Sequence, residues 1–223
     1  ETPEFIAMLD DIESFLIRRA VCGYNQKAYN RLFLEFLNRL KEDGVPPSRA
    51  ALSALLASSN APSAIWPPDD AFRRSLVGDP MYRTLRPRRT QMILETLEYA
   101  SRSPFAEKIE VKSPLTVEHV LPQSAADSDW PLESKPAESE SEARQRRSMI
   151  LHTLGNLTLL TQPLNSSESN GPYSKKRPEI AKQSLLALNS YFQDAKDWGE
   201  AEILKRGEKL ADLAVVIWPS PKT

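Results

Sequence analysis

Apolar residues recur every three or four positions through most of the first hundred residues, which is the spacing of one helix face. The run begins at Leu9, Ile12, Phe15 and Leu16 and returns between residues 29 and 40. Gly44 with Pro46 and Pro47 predicts a helix end, and residues 62–68 predict a loop around Trp66. Helical spacing resumes over residues 89–100, so we expect a helical subdomain over residues 1–103.

The pattern changes after Pro104 to short runs typical of β-strands. Residues 108–111 and 115–120 predict strands, and the second must end before Pro122, which cannot donate to a sheet. Leu154 to Thr161 predicts a partner strand, so the two form a hairpin. The polar segment from Gln123 to about Glu142 is expected to be a surface loop. A helical segment should follow Pro163.

The C-terminal stretch from Trp198 to Trp218 has an amphipathic helical pattern that ends at Pro219. Trp66, Trp198 and Trp218 are interpreted as core anchors. The predicted fold is α+β and mostly helical, with a ββα element embedded among helices. We expect a helical subdomain over residues 1–103 and a core over residues 104–223 that carries the chemistry.

Composition places the chain among globular proteins, since 40% of its 223 residues are apolar and 26% are charged. The single cysteine, Cys22, excludes an intrachain disulfide. The sequence contains no apolar run long enough to span a bilayer and no secretory leader, so we expect a cytoplasmic location and no membrane partner. The chain starts without Met, which suggests a piece of a longer polypeptide with an N-terminal partner.

The net charge of −1 excludes a uniformly basic coat for nucleic acid, so any such binding must come from local clusters. Three clusters are present. They contain Arg73, Arg74, Arg83, Arg86, Arg88 and Arg89; Arg144, Arg146 and Arg147; and Lys175, Lys176, Arg177 and Lys182. Each could be a solvated helix face. Our candidates for contacts with DNA phosphates are Arg86, Arg88, Arg89, Lys175, Lys176 and Arg177.

The candidate chemistry lies in a Glu-His pair just before Pro122 and in asparagines downstream of it. Imidazole titrates near neutrality and can deprotonate water, so His119 is the candidate general base. Carboxylate and amide oxygens suit Mg²⁺ or Mn²⁺, which makes Glu118 and Asn165 candidate ligands. Neighbours on a strand face opposite sides, so the strand must turn if both are to serve one site. Zinc is not expected, because no Cys or His pair has ligand spacing.

Glu118-His119-x-x-Pro-Gln, then Gly155-Asn156-Leu-Thr-Leu-Leu, then Asn165 resembles the ββα-metal finger of HNH (His-Me finger) endonucleases. The resemblance implies that His119 activates water and that Glu118 and Asn165 hold one divalent ion. It also implies that Asn156 is a residue of the catalytic site and that it ties the hairpin loop together. The expected reaction is metal-dependent hydrolysis of a DNA phosphodiester.

The resemblance extends to the C-terminal half of GmrSD-type restriction proteins and the phosphorothioate-sensing SspE proteins. It is carried by Arg18-Arg19, Trp66-Pro67 followed by the arginine run, the Leu-Gly-Asn-Leu-Thr-Leu-Leu string, and the C-terminal helix. It implies an endonuclease or nickase that acts on double-stranded phage DNA. It also implies an N-terminal nucleotide-hydrolysing sensor domain in the same polypeptide, whose motifs are absent from these residues.

Alternatives remain open at the level of residue and of function. Asn170 competes with Asn165 as the metal ligand, although Asn-Gly-Pro suits a turn. His152 could be a second catalytic residue or could satisfy a hydrogen bond in a loop. The whole domain could instead be a catalytically inactive DNA-binding module of the same defence system. A helical scaffold whose arginines meet an acidic protein is a further possibility, which a weak salt dependence of binding to DNA would favour.

Overall fold

The computed structural model of the protein describes residues 2–42, 48–102, 111, 113–161, 169–182 and 186–221. The chain divides into two compact units. The first contains Glu1–Ser75 and Ala214–Thr223, and the second contains Leu76–Leu213. The boundary predicted at residue 103 stays a prediction. The fold is α+β and mostly helical, as expected from the sequence.

The helices precede, interrupt and follow a single hairpin in the described part of the chain. In chain order the elements are α1 Pro3–Val21, α2 Tyr29–Glu42, α3 Arg49–Ala57, α4 Asp69–Gly78, α5 Met81–Thr84, α6 Pro87–Ala100, β1 Thr116–His119, α7 Glu140–Ile150, β2 Leu157–Leu160, α8 Tyr173–Lys182, α9 Tyr191–Asp194 and α10 Glu200–Ile217. No helix formed by the described residues has both the length and the apolarity that a bilayer crossing demands.

The first unit is organised around a buried arginine of α1. Arg18 is fully buried, and its guanidinium donates to the carbonyls of Trp218 and Pro67 at 2.7 and 2.9 Å. The same group pairs with Asp69 and lies 4.7 Å above the Phe72 ring. A buried guanidinium needs acceptors for its donors, and these contacts give each of its three nitrogens one. Arg18 and Trp218, which were both singled out in the sequence, therefore meet in the core of this unit.

The second unit contains the hairpin. Strands β1 and β2 are antiparallel, with Glu118 opposite Thr158 and His119 opposite Leu157. All four residues of β2 are buried, so this strand lies inside the unit. The partner strand was predicted to begin at Leu154. Residues 154–156 instead form a 3₁₀ turn, and strand β2 starts at Leu157.

The 3₁₀ turn before β2 is fixed by contact with α10. A Cβ on Gly155 would lie 1.9 Å from the backbone oxygen of Ile203, so only glycine allows this approach. The buried guanidinium of Arg206 then donates to the carbonyls of Gly155 and Leu157 at 2.8 and 2.7 Å. These contacts set where β2 begins.

The segment between the strands is only partly the loop that the sequence predicted. Helix α7 begins inside it, after Ser139, which forms a capping box with Glu142. Trp130 is 4% exposed and belongs to the core of the unit with Leu121, Tyr173 and Trp198. The segment therefore contributes to the core, because its few large apolar residues are buried.

Two predictions fall outside the described residues. They are the strand at 108–111 and the start of the helical segment after Pro163, which includes Asn165. The helix predicted in this region is described from Tyr173 onward as α8. Along the chain the unit therefore has strand β1, helix α7, strand β2 and then helix α8.

Candidate active site

His119 is the last residue of β1, and its imidazole is held from both ring nitrogens. Nε2 lies 3.1 Å from Nδ1 of His152, and Nδ1 lies 3.4 Å from the amide nitrogen of Gln123. The Tyr82 ring meets the His119 ring edge to face, with centroids 4.6 Å apart, and stacks on the His152 ring. The amide nitrogen of Tyr82 also donates to the carbonyl of His152. Both histidines of the chain therefore belong to one cluster, which sequence spacing did not reveal.

Burial keeps the two imidazoles neutral. His119 is 6% exposed and His152 2% exposed. The pKa of His119 is lowered to about 3, mainly by burial, with His152, Lys176 and Arg83 acting in the same direction. Burial, and then the charge of Arg83, also lowers the pKa of His152. A neutral imidazole has one lone pair that can accept a proton, and the lowered pKa makes it a weaker base than a free imidazole.

Glu118 lies beside the histidine and is paired with a buried lysine. Nζ of Lys176 lies 2.6 Å from Oε1 of Glu118 and donates to the carbonyls of Ser169 and His119. The Ser169 hydroxyl donates to the same carboxylate oxygen over 3.2 Å. Lys176 therefore joins the end of β1 to helix α8, so the hairpin and the helix form one element.

The position of Lys176 does not fit the DNA contact that the sequence predicted for it. Its side chain is completely buried, and burial lowers its pKa while the charge of Glu118 opposes that shift. An ammonium in this position cannot reach a phosphate on the surface. The guanidinium of Arg177 is likewise occupied, because it donates to the carbonyls of Phe192 and Gln193. Of this predicted trio, Lys175 is the exposed one.

Asn156 is buried under the site and does not face it. Its Oδ1 accepts from the amide of Leu121 at 2.7 Å and from the indole of Trp198 at 3.1 Å. Its Nδ2 donates to the carbonyls of Leu121 and Leu151 at 2.9 Å each. With all of these bonds made and no exposure, Asn156 holds the chain after β1 against the turn before β2. We place it as a positioning residue.

A groove lies next to the histidine cluster. It has a volume of about 280 Å³ and is lined by Arg83, Gln123, Arg144, Arg147, Ser148, Leu151 and His152. We call it the arginine groove. Gln123 and His152 both line it and both contact the imidazole of His119. The groove therefore opens directly beside the candidate base.

The other predicted DNA contacts lie around the first turn of α6. Arg86, Arg88 and Arg89 are all exposed. Arg86 has φ 69° and ψ 156°, a backbone conformation that costs free energy for any residue with a side chain. It precedes Pro87, and its carbonyl accepts the hydrogen bond from the amide of Thr90 that opens the helix.

The described residues do not by themselves form a metal site. They include no cluster of three or more His, Cys, Asp or Glu side chains that could hold an ion. Asn165 lies outside the described residues, and the competing Asn170 is exposed. Within the described chain, no hydrogen bond reaches Oε2 of Glu118.

The second unit thus combines a hairpin, a following helix and a buried histidine cluster beside a basic groove, as expected of a nuclease domain. Residues 66–213 match the family described as GmrSD restriction endonucleases, C-terminal domain. Because the match covers most of the chain, the protein belongs to this family. A comparison with curated proteins finds no match.

Proposed function

We propose that the chain hydrolyses DNA phosphodiesters, with His119 as the general base at the end of β1. The observation that carries this proposal is the neutral, buried imidazole fixed by His152 beside a groove lined with arginines. Family membership supports a restriction endonuclease domain and DNA as its substrate.

The hydrogen bonds around His119 suggest which nitrogen takes the proton. The amide nitrogen of Gln123 can only donate, so Nδ1 of His119 accepts and carries the lone pair. Nε2 then bears the proton and donates to Nδ1 of His152. The Gln123 bond is long, at 3.4 Å, and is therefore weak enough for a water molecule to replace it. Such a water would meet the lone pair on the side of the arginine groove.

A divalent ion fits one part of this arrangement. We propose that Glu118, through Oε2, and Asn165 hold Mg²⁺ or Mn²⁺, with water completing the shell, as is usual for Mg²⁺ in proteins. Oε1 is already engaged by Lys176, which orients the carboxylate. When bound, the ion supplies Lewis-acid stabilisation of charge on the phosphate. The exposed cations at Lys175, Arg86, Arg88 and Arg89 would contact the DNA backbone.

One observation favours a second candidate function. Glu118 pairs with Lys176 and His119 is 6% exposed, which is the arrangement expected of a finger that binds DNA without cutting it. The domain would then be an inactive DNA-binding module of the same defence system. Binding to DNA without cleavage in the presence of divalent ions would distinguish this alternative.

The experiment is to incubate the purified chain with supercoiled plasmid in Mg²⁺, in Mn²⁺ and in EDTA. Conversion to open-circular or linear DNA that needs an ion supports the proposal, and the product form separates a nickase from a double-strand endonuclease. An intact plasmid under all three conditions, with DNA binding retained, would establish the inactive module instead.

A further inference from the structure

We infer that the arginine groove binds one phosphate of the polynucleotide backbone next to the scissile phosphate. This inference rests on the proposed function for its assignment to DNA. It goes further because it assigns a specific phosphate to a specific set of side chains drawn from two separate sequence clusters. Arg83 comes from α5, and Arg144 and Arg147 come from α7.

The charge of the lining is the first observation in support. Three arginines line the groove, and its lining contains no carboxylate. Three other pockets among the described residues each include a carboxylate in their lining, namely Asp194, Glu133 and Glu95. A concave surface whose charged lining residues are all cations attracts an anion, because the walls concentrate the field inside it.

The three arginines differ in the ion pairs and hydrogen bonds that their guanidinium groups already form. Arg144 pairs with Asp127 and Glu140 at 2.8 and 2.9 Å, outside the groove lining. Arg147 donates to the carbonyls of Trp130 and Pro131, while its Nε is buried without an acceptor in the described chain. Arg83 is exposed and forms no ion pair with the described residues. Its contact is a long hydrogen bond of 3.4 Å to the hydroxyl of Ser148. Arg83 is therefore the cation best able to exchange water for a phosphate.

Size and position fit the same ligand. At about 30 Å³ for each water molecule, the 280 Å³ of the groove hold roughly nine waters. A phosphate with part of its sugar fits in that space, whereas a double helix must lie across the opening. Because Gln123 and His152 link the groove to the His119 imidazole, the bound phosphate would fix the register of the strand at the base.

The test measures binding of the full chain to a short labelled DNA duplex by fluorescence anisotropy in EDTA, so that cleavage is suppressed. Each phosphate contact contributes about −0.9 to the slope of log Kobs against log salt. Arg83→Ala should weaken binding and reduce the size of that slope by about 1. Arg83→Lys should keep the slope, because it keeps the charge. Lys205→Ala is the matched control, an exposed cation of α10 that pairs with Glu202 at 3.1 Å.

The outcomes separate this inference from the proposed function. An unchanged slope for Arg83→Ala, or an equal loss for Lys205→Ala, overturns the phosphate site even if the wild-type chain cuts plasmid. A reduced slope for Arg83→Ala alone upholds the phosphate site even if the wild-type chain cuts nothing. Wild-type binding that does not depend on salt overturns the site as well, since no phosphate contact would then contribute.

Discussion

The imidazole of His119 makes contacts from three directions, and each restricts a different property. His152 contacts Nε2, Tyr82 restricts the plane of the ring, and Gln123 covers Nδ1. A base fixed in this way needs little reorganisation when it accepts a proton. The chemistry at the residue scale thus depends on neighbours that are distant in the sequence.

His152 can be tested as the residue that positions His119. His152→Leu removes the acceptor for Nε2 and should lower kcat for plasmid cleavage by about 10- to 100-fold, as loss of an orienting partner does elsewhere. KM should stay the same. His152→Asn keeps an oxygen near the position of Nδ1 and should restore most of the rate. Nitrogen NMR of the His119 ring should show mixed tautomers in the Leu variant alone. Equal rates for the two variants would contradict the positioning role.

The metal ligands give a second prediction at this scale. Asn165→Ala should lower Mn²⁺ affinity more than Asn170→Ala, because Asn165 lies nine residues after Asn156 as the family pattern requires. Titration calorimetry on both variants measures this directly. Loss of the ion in the Asn170 variant alone would place the ligand five residues later and shift the start of the finger helix.

At the scale of elements, the position of the hairpin depends on the turn before β2. Gly155→Ala places a Cβ 1.9 Å from the carbonyl oxygen of Ile203, where backbone must move. We expect a loss of about 3 kcal/mol or more in the free energy of unfolding, measured with urea. Gly78→Ala is the control, since a Cβ there meets nothing within 4 Å, and its effect should stay within about 1 kcal/mol. Similar losses for both variants would contradict the account of this turn.

Some elements of the second unit could be predicted from the sequence, and others could not. Strand β1 was predictable, because its run of β-formers ends before Pro122. Helix α7 was also within reach, since Ser139 and Glu142 have the spacing of a capping box. The contact between His119 and His152 joins residues 33 positions apart, so no local pattern carries it.

The burial of Lys176 could have been predicted from helical spacing, although it lies in a run of basic residues. The run of Lys175, Lys176 and Arg177 suggests a solvated surface. However, Lys176 follows Tyr173 by three residues and precedes Ile180 by four, so all three share the buried face of α8. The helix periodicity thus outweighs the charge run, and the ammonium is buried with Glu118 as its partner.

At the scale of the whole molecule, the question is where selectivity for particular DNA arises. The exposed arginines and lysines belong to no evident recognition helix, so they should contact phosphates, which carry no sequence information. We expect this chain alone to cut modified and unmodified plasmids of one sequence at similar rates. The longer polypeptide implied by the resemblance should discriminate between them through its sensor domain, with coupling of about 1 to 3 kcal/mol. Equal discrimination by the isolated chain would place the sensing surface within these 223 residues.

The most direct test of the central claim compares His119→Ala with the wild-type chain in plasmid cleavage under single-turnover conditions with Mg²⁺ or Mn²⁺. The change removes the base and its ring contacts but leaves the groove arginines and the Asn156 bonds in place. The account predicts a rate lower by about 10²- to 10⁴-fold, with duplex binding in EDTA and the circular dichroism spectrum unchanged. Plasmid cleavage at the wild-type rate by the His119→Ala chain would contradict it.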